Sequence, residues 1–118
     1  MSRKTFTKAD RLRKRPEFIR LSREGWRVHT ADFMASFAPA AGAGHRLGIT
    51  VSKRVGKAVR RNRVKRLARE YFRLNRDRIR GIWDVNLVAK RGAAELETLE
   101  VFRQFQRLFE RISRSVDH

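Results

Sequence analysis

The side chains that could do chemistry here are guanidinium groups, and their spacing decides which chemistry. Arg61, Lys65, Arg69 and Arg73 recur at every fourth position, and Asn62 and Arg66 widen the same flank. At 100° per residue, Val64, Leu67, Ala68, Tyr71 and Phe72 gather on another side, at the spacing of a core-facing helical stripe. Like charges one turn apart each cost a few tenths of a kcal/mol. A helix carrying such a column makes sense when a polyanion supplies the counter-charge, so the pattern reads as a docking surface for phosphate. Arg60 and Arg63 point nearer the border of the apolar side, where each could reach a nucleic acid or cap a local carboxylate.

Two smaller features share this character. Phe18 is an aromatic among arginines and lysines on a short helical segment; it could stack on a base, or pack on the core as a hydrophobe. The pairs Lys53-Arg54 and Lys90-Arg91 each follow an apolar alternating run, and each could flank a groove or sit in a solvated turn.

No set of residues here could cut a bond. His29, His45 and His118 fall in separate elements without metal-ligand spacing, and no carboxylate cluster accompanies them. Gly56-Lys57 lacks the phosphate-loop pattern, because Gly48 is too far upstream and Ala58 stands where a hydroxyl should bind magnesium. The absence of cysteine excludes disulfides and thiolate metal sites. No apolar run suits a signal peptide or a membrane span, so the expected compartment is the cytoplasm, with no membrane partner.

The 118 residues fit one domain, expected to span 1–118, and an apolar fraction of 41% can supply its core. A net charge of +18 points to nucleic acid rather than to a small-molecule substrate. From Glu95 onward acidic residues outnumber basic ones five to four, so the whole positive excess lies in residues 1–94. Of the 30 basic residues only seven are lysine, and arginine's planar fork suits bidentate phosphate contacts.

The elements that must position these groups follow from periodicity. Residues 1–15 read as a loosely ordered basic arm with Phe6 and Leu12 as anchors. Pro16 to Glu24 reads as a helix stopped by Gly25. Trp26–His29, Asp32–Ala38, Arg46–Ser52 and Trp83–Ala89 read as strands. The basic helix should run from about Lys57 to Leu74, with 75–81 a helical extension or loop. Leu99, Phe102, Phe105, Leu108, Phe109 and Ile112 trace a last helix over about Leu96 to Ser115. The expected fold is α+β, an αβββαβα sandwich with helices packed on one four-stranded sheet.

The run from Arg46 to Arg66, RLGITVSKRVGKAVRRNRVKR, closely resembles the protein subunit of bacterial ribonuclease P. That family is marked by an Arg-Asn-Arg core preceded by a strand of this kind. Arg11 to Phe18 and the strand ending Val88-Ala89-Lys90-Arg91 resemble it too, so the likeness spans nearly the whole chain. It implies a small protein that assists a catalytic RNA. The RNA, with its own bound Mg2+, would hydrolyse the bond joining the 5′ leader of precursor tRNA to the mature sequence, and the protein would hold no metal and no catalytic side chain. The resemblance assigns Arg61, Asn62, Arg63, Lys65, Arg66 and Arg69 to the RNA subunit. It places the single-stranded leader between the first helix and the sheet, near Phe18, Lys53 and Arg54, with Met34 as an apolar floor, Ser36 beside it, and Lys90 and Arg91 at the strand end. Many members carry an aromatic where this chain has Ser22, and some a tyrosine where it has Ser36. The resemblance also implies a left-handed β-α-β crossover, an exception to the usual hand. The rival readings are a structural ribosomal or general RNA-binding protein, which would have no reason to read a leader, and a DNA-compacting protein, which would not prefer folded RNA.

Overall fold

The computed structural model describes residues 5–115. Helix α1 (Arg15–Glu24) leads into strands β1 (Trp26–His29), β2 (Phe33–Pro39) and β3 (Arg46–Thr50). Helix α2 (Ala58–Asn75), strand β4 (Trp83–Ala89) and helix α3 (Thr98–Arg114) complete the order. The αβββαβα sequence of elements is the expected one, and most boundaries fall within two residues of the sequence reading. The third strand stops at Thr50 because Lys53–Val55 coil into a short 3-10 turn. Arg76–Arg78 and Arg91–Glu95 form two more such turns, which have no amphipathic stripe to announce them.

The sheet order is β1-β2-β4-β3. β1 pairs with β2 and β2 with β4 antiparallel, while β3 and β4 run parallel with α2 crossing between them. Side chains alternate across the strands, so the register sorts them onto two faces. Ala35, Phe37, Leu47, Val85 and Leu87 belong to the main core, with Val64, Leu67, Ala68 and Phe72 of α2 and Val101, Phe105, Leu108 and Ile112 of α3. The opposite face has a smaller apolar cluster of Leu12, Leu21 and Ala38, with Phe18 packed against it.

Local chemistry sets the ends of α1. Pro16 lies in its first turn, and Glu17 Oε1 accepts from the backbone N–H groups of Arg13 (3.1 Å) and Lys14 (2.9 Å), covering donors the helix leaves open. At the other end a Cβ on Gly25 would lie 2.7 Å from the Leu21 carbonyl oxygen and 2.8 Å from that of Phe37, so only glycine lets the helix stop against β2.

The N-terminal segment corrects the expectation of a loose arm. Residues 1–4 lie outside the described residues, but 5–15 are seated on the body. Leu12 N–H donates to the Leu47 carbonyl (3.0 Å), and Arg11 bridges to Leu47 in parallel, which covers the outer edge of β3. Asp10, 3% exposed, forms an ion pair with Arg76 at 3.0 Å. The Arg76 guanidinium also lies 5.2 Å from the Phe72 ring centre, and Phe6 meets Phe72 edge-on at 5.9 Å. A charge buried in this way holds only when paired. Its partner is 66 positions away in sequence, beyond the reach of any local pattern.

Candidate nucleic-acid interface

α2 carries seven basic residues and one acidic residue, and buries Val64, Leu67, Ala68 and Phe72. Asn62 and Arg66 are exposed, and Arg61, Lys65 and Arg69 are partly exposed on the flank away from that stripe. Among the described residues no carboxylate pairs with Lys65, Arg66 or Arg69. Arg69 has its pKa lowered by partial burial and by the nearby charge of Arg11, so two cations approach each other with no acid between them. The first turn of α2 also has Arg60 and Arg61 and no acid, against the preference of a helix N-terminus for negative charge.

The border positions behave differently. Arg60 pairs with Glu95 at 3.0 Å, and Arg63 donates to the Thr98 hydroxyl at 3.2 Å, so both reach toward the start of α3. Arg61 keeps its flank but donates Nε–H to the Gly56 carbonyl at 3.1 Å. Of the six α2 residues singled out in the sequence, Asn62, Lys65, Arg66 and Arg69 are open together, Arg61 is held at their edge, and Arg63 is turned to the side.

The second surface is the sheet face bearing α1. Register places Arg27, Ser36, Asn86 and Gly48 in one row across the sheet, and His29, Met34, Val88 and Thr50 in the next. Phe18 stands over the first row. A Cβ on Gly48 would lie 2.5 Å from its ring and 3.2 Å from Leu12, so the absent side chain leaves the space the ring occupies. The ring is half-buried, which reconciles its two sequence readings: it packs on the sheet and stays within reach of a ligand. The next row is open, with Met34 and Val88 half-buried and Thr50 exposed.

Parallel pairing then decides the electrostatics of this surface. β3 and β4 run the same way, so the residues after each strand emerge at the same end of the sheet. Lys53 and Arg54 follow Thr50, Lys90 and Arg91 follow Val88, and the two turns pack against each other. Both cationic pairs therefore border the open row. Lys53, Arg54 and Arg91 are exposed, whereas Lys90 Nζ donates to the Thr30 carbonyl at 2.8 Å. A row of mixed polarity crossing the four strands, with an aromatic wall and cations at the end of the sheet, suits an extended, single-stranded nucleic acid.

The comparisons agree with this geometry. The family model for Ribonuclease P matches residues 6–113. The chain is 47% identical over 114 residues to the ribonuclease P protein component of Desulfatibacillum aliphaticivorans, covering 97% of each chain. It is 48% identical over 111 residues to that of Desulforapulum autotrophicum, covering 94% of this chain and 95% of the other. The solved Staphylococcus aureus RNase P protein superposes with a TM-score of 0.80 at 31% identity, over 87% of this chain and 94% of that one. The Thermotoga maritima RNase P protein gives 0.79 at 32%, over 86% and 96%. The chain belongs to the ribonuclease P protein family. It is a protein component for tRNA processing, and its partner is RNA.

Within that family frame, the structure adjusts the sequence-derived leader residues. Phe18 and Met34 share the α1 face of the sheet, while Lys53, Arg54 and Arg91 lie in the two turns that follow β3 and β4 at one end of it. Ser36 lies in the floor but is only 4% exposed, with its hydroxyl 3.4 Å from Met34 Sδ, so a passing strand would meet the methionine first. Sequence reasoning missed the rest of the floor: Thr50, whose hydroxyl donates to Asn86 Oδ1 at 3.1 Å, and Asn86 and Val88 of β4. It also missed Asp84, fully buried and gripped by Arg46. A signal existed. In Trp83-Asp84-Val85-Asn86-Leu87 polar residues alternate with apolar ones, which marks a central strand with one polar face.

Proposed function

We propose that this chain is the non-catalytic subunit of a ribonuclease P holoenzyme in the cytoplasm, with two RNA-binding faces. The flank of α2 around Asn62, Lys65, Arg66 and Arg69, edged by Arg61 and Arg63, docks on the backbone of the catalytic RNA. The sheet face beside Phe18 holds the 5′ leader of precursor tRNA. The observation that carries this reading is the convergence of Lys53-Arg54 and Lys90-Arg91 on one rim of a half-covered sheet face, beside an aromatic seated on Gly48.

The division of labour follows from chemistry. A-form RNA hides its base edges in a deep, narrow groove, so a rigid row of guanidiniums addresses its phosphates. The leader is single-stranded, and an aromatic wall with cations at phosphate reach holds such a strand with little regard to sequence. On this reading magnesium and hydrolysis belong to the RNA, as the family resemblance implies. The protein's cations lower phosphate repulsion, so that the folded RNA keeps its ions at lower bulk concentration.

The test compares precursors with a long leader and with a one-nucleotide leader, cleaved by holoenzyme containing the natural protein or Phe18→Ala. Loss of a stacked base costs about 1–3 kcal/mol, so Phe18→Ala should lower the preference for the long leader by roughly 5- to 150-fold. An unchanged preference would contradict the assignment of this face.

A further inference from the structure

The wall of the proposed leader cleft is held to its floor by charge more than by apolar contact. Beneath α1 the buried apolar cluster among the described residues is Leu12, Leu21 and Ala38, with Phe18 half-buried beside them, whereas the opposite face of the sheet rests on a cluster many times larger. Asp84 is 0% exposed near the start of β4, a strand internal to the sheet, where an unpaired carboxylate would be very costly. Two arginines from different elements neutralise it. Arg46 of β3 grips it as a fork, Nε to Oδ1 at 3.0 Å and Nη2 to Oδ2 at 2.9 Å, and Arg20 of α1 reaches Oδ2 at 3.3 Å. The third nitrogen of Arg46 donates to Glu17, the residue that covers the first turn of α1 and directly precedes Phe18. Arg20 is tied again to the Pro39 carbonyl at 3.2 Å. The side-chain bonding with Asp84 and Glu17 drives the Arg46 pKa strongly upward, and the Lys14 backbone bond, with Arg46, lowers that of Glu17.

We infer that Glu17, Arg20, Arg46 and Asp84 form a neutral, two-by-two clamp that fixes α1 at a set angle on the sheet and thereby positions Phe18 for leader binding. A small apolar contact tolerates sliding and rotation, but a planar guanidinium fork fixes direction. The clamp combines two acids with two arginines, so it leaves the cationic rim untouched for the nucleic acid. Its members touch no leader atom themselves; they act through Phe18 and are positioning residues. The inference rests on the leader reading of this face.

The experiment measures kcat/KM for long-leader and one-nucleotide-leader precursors with holoenzymes carrying Glu17→Gln, Arg20→Gln or Phe18→Ala. The glutamine keeps a carbonyl oxygen for the helix cap and turns an amide NH2 toward Arg46, removing both the charge and the acceptor there. Each clamp variant should lower the long-to-short ratio by about 3-fold or more through KM, the scale of one partly exposed ion pair. Affinity for the RNA subunit and cleavage of the short-leader precursor should not change. Arg20→Gln alters a side chain 37% exposed and carries the test if Glu17→Gln unfolds. A folded clamp variant with an unchanged ratio, alongside a collapsed ratio for Phe18→Ala, would overturn the clamp and leave the leader reading standing. Unchanged ratios for all three would overturn both.

Discussion

The flank of α2 and the sheet face under α1 both present cations, but they are built by different physics. On α2 the charges belong to one helix, are spaced by its pitch, and at Lys65, Arg66 and Arg69 have no acid partner among the described residues. On the sheet face they come from two turns and a short helix, brought together by parallel pairing and by a buried ion network. The first surface survives small adjustments of the fold because it is local. The second exists only when β3, β4 and α1 are assembled. A rigid duplex partner can be met by the first kind of surface, while a flexible strand needs a groove, which only tertiary structure provides.

The widest separation between the two should come from charge removal on α2. Lys65→Ala, Arg66→Ala and Arg69→Ala combined should remove three phosphate contacts and flatten the log–log salt dependence of RNA-subunit binding by ~2–3 units of slope. Arg66→Ala alone should remove about one unit. The long-to-short leader ratio of the complexes that still form should not move. The matching triple on α3, Arg103→Ala, Arg107→Ala and Arg114→Ala, should leave the slope unchanged; a comparable loss there would mean that α2 is not special.

Gly48→Ala probes the other surface from beneath. The new methyl would meet the Phe18 ring at 2.5 Å. It should cost about 1–3 kcal/mol of stability in chemical denaturation and blunt leader preference, with the RNA-subunit salt slope unaltered. Equal damage to both functions would show that the two faces are not separable.

A smaller effect concerns His45, which meets Phe72 of α2 edge-on. His45 is half-buried, its Nδ1 accepts from the Trp83 backbone N–H at 3.1 Å, and burial followed by the charge of Arg76 lowers its pKa below 6.5. The unfolded ring takes up a proton near 6.5 and the folded ring only at lower pH. Its contribution to stability is therefore full above that value and declines as pH falls toward the depressed one. The thermal midpoint should drop between pH 7 and 5 more steeply in the natural protein than in His45→Asn, whose carbonyl keeps the acceptor. Parallel curves would remove His45 from the account. Least of all, Arg60→Ala should change stability by under about 1 kcal/mol, because its pair with Glu95 is mostly exposed.

What could be read in the sequence follows the same division. α2 and its cations were legible because 3.6-residue periodicity is written in adjacent residues. The strands were legible from alternation, and Phe18, Lys53-Arg54 and Lys90-Arg91 as candidates by type. The hidden features depend on distant partners: Asp10 with Arg76, Asp84 with Arg46 and Arg20, and the shared end of β3 and β4. Residues 1–15 read as a loose basic arm because six of the eight residues from 8 to 15 are charged, yet one buried ion pair and Leu12 seat that stretch. Ser36 looked available because strand parity gives a residue's face but not how deeply its neighbours cover it.

The central claim is that this chain serves a catalytic RNA. Cleavage of a precursor tRNA by a bacterial ribonuclease P RNA at low magnesium, with and without the protein, tests it most directly. The account predicts correctly placed 5′ cleavage that requires both components, restored by the natural protein and much less by the triple α2 variant. Tight RNA binding without any stimulation of cleavage would contradict it and favour a general RNA-binding scaffold.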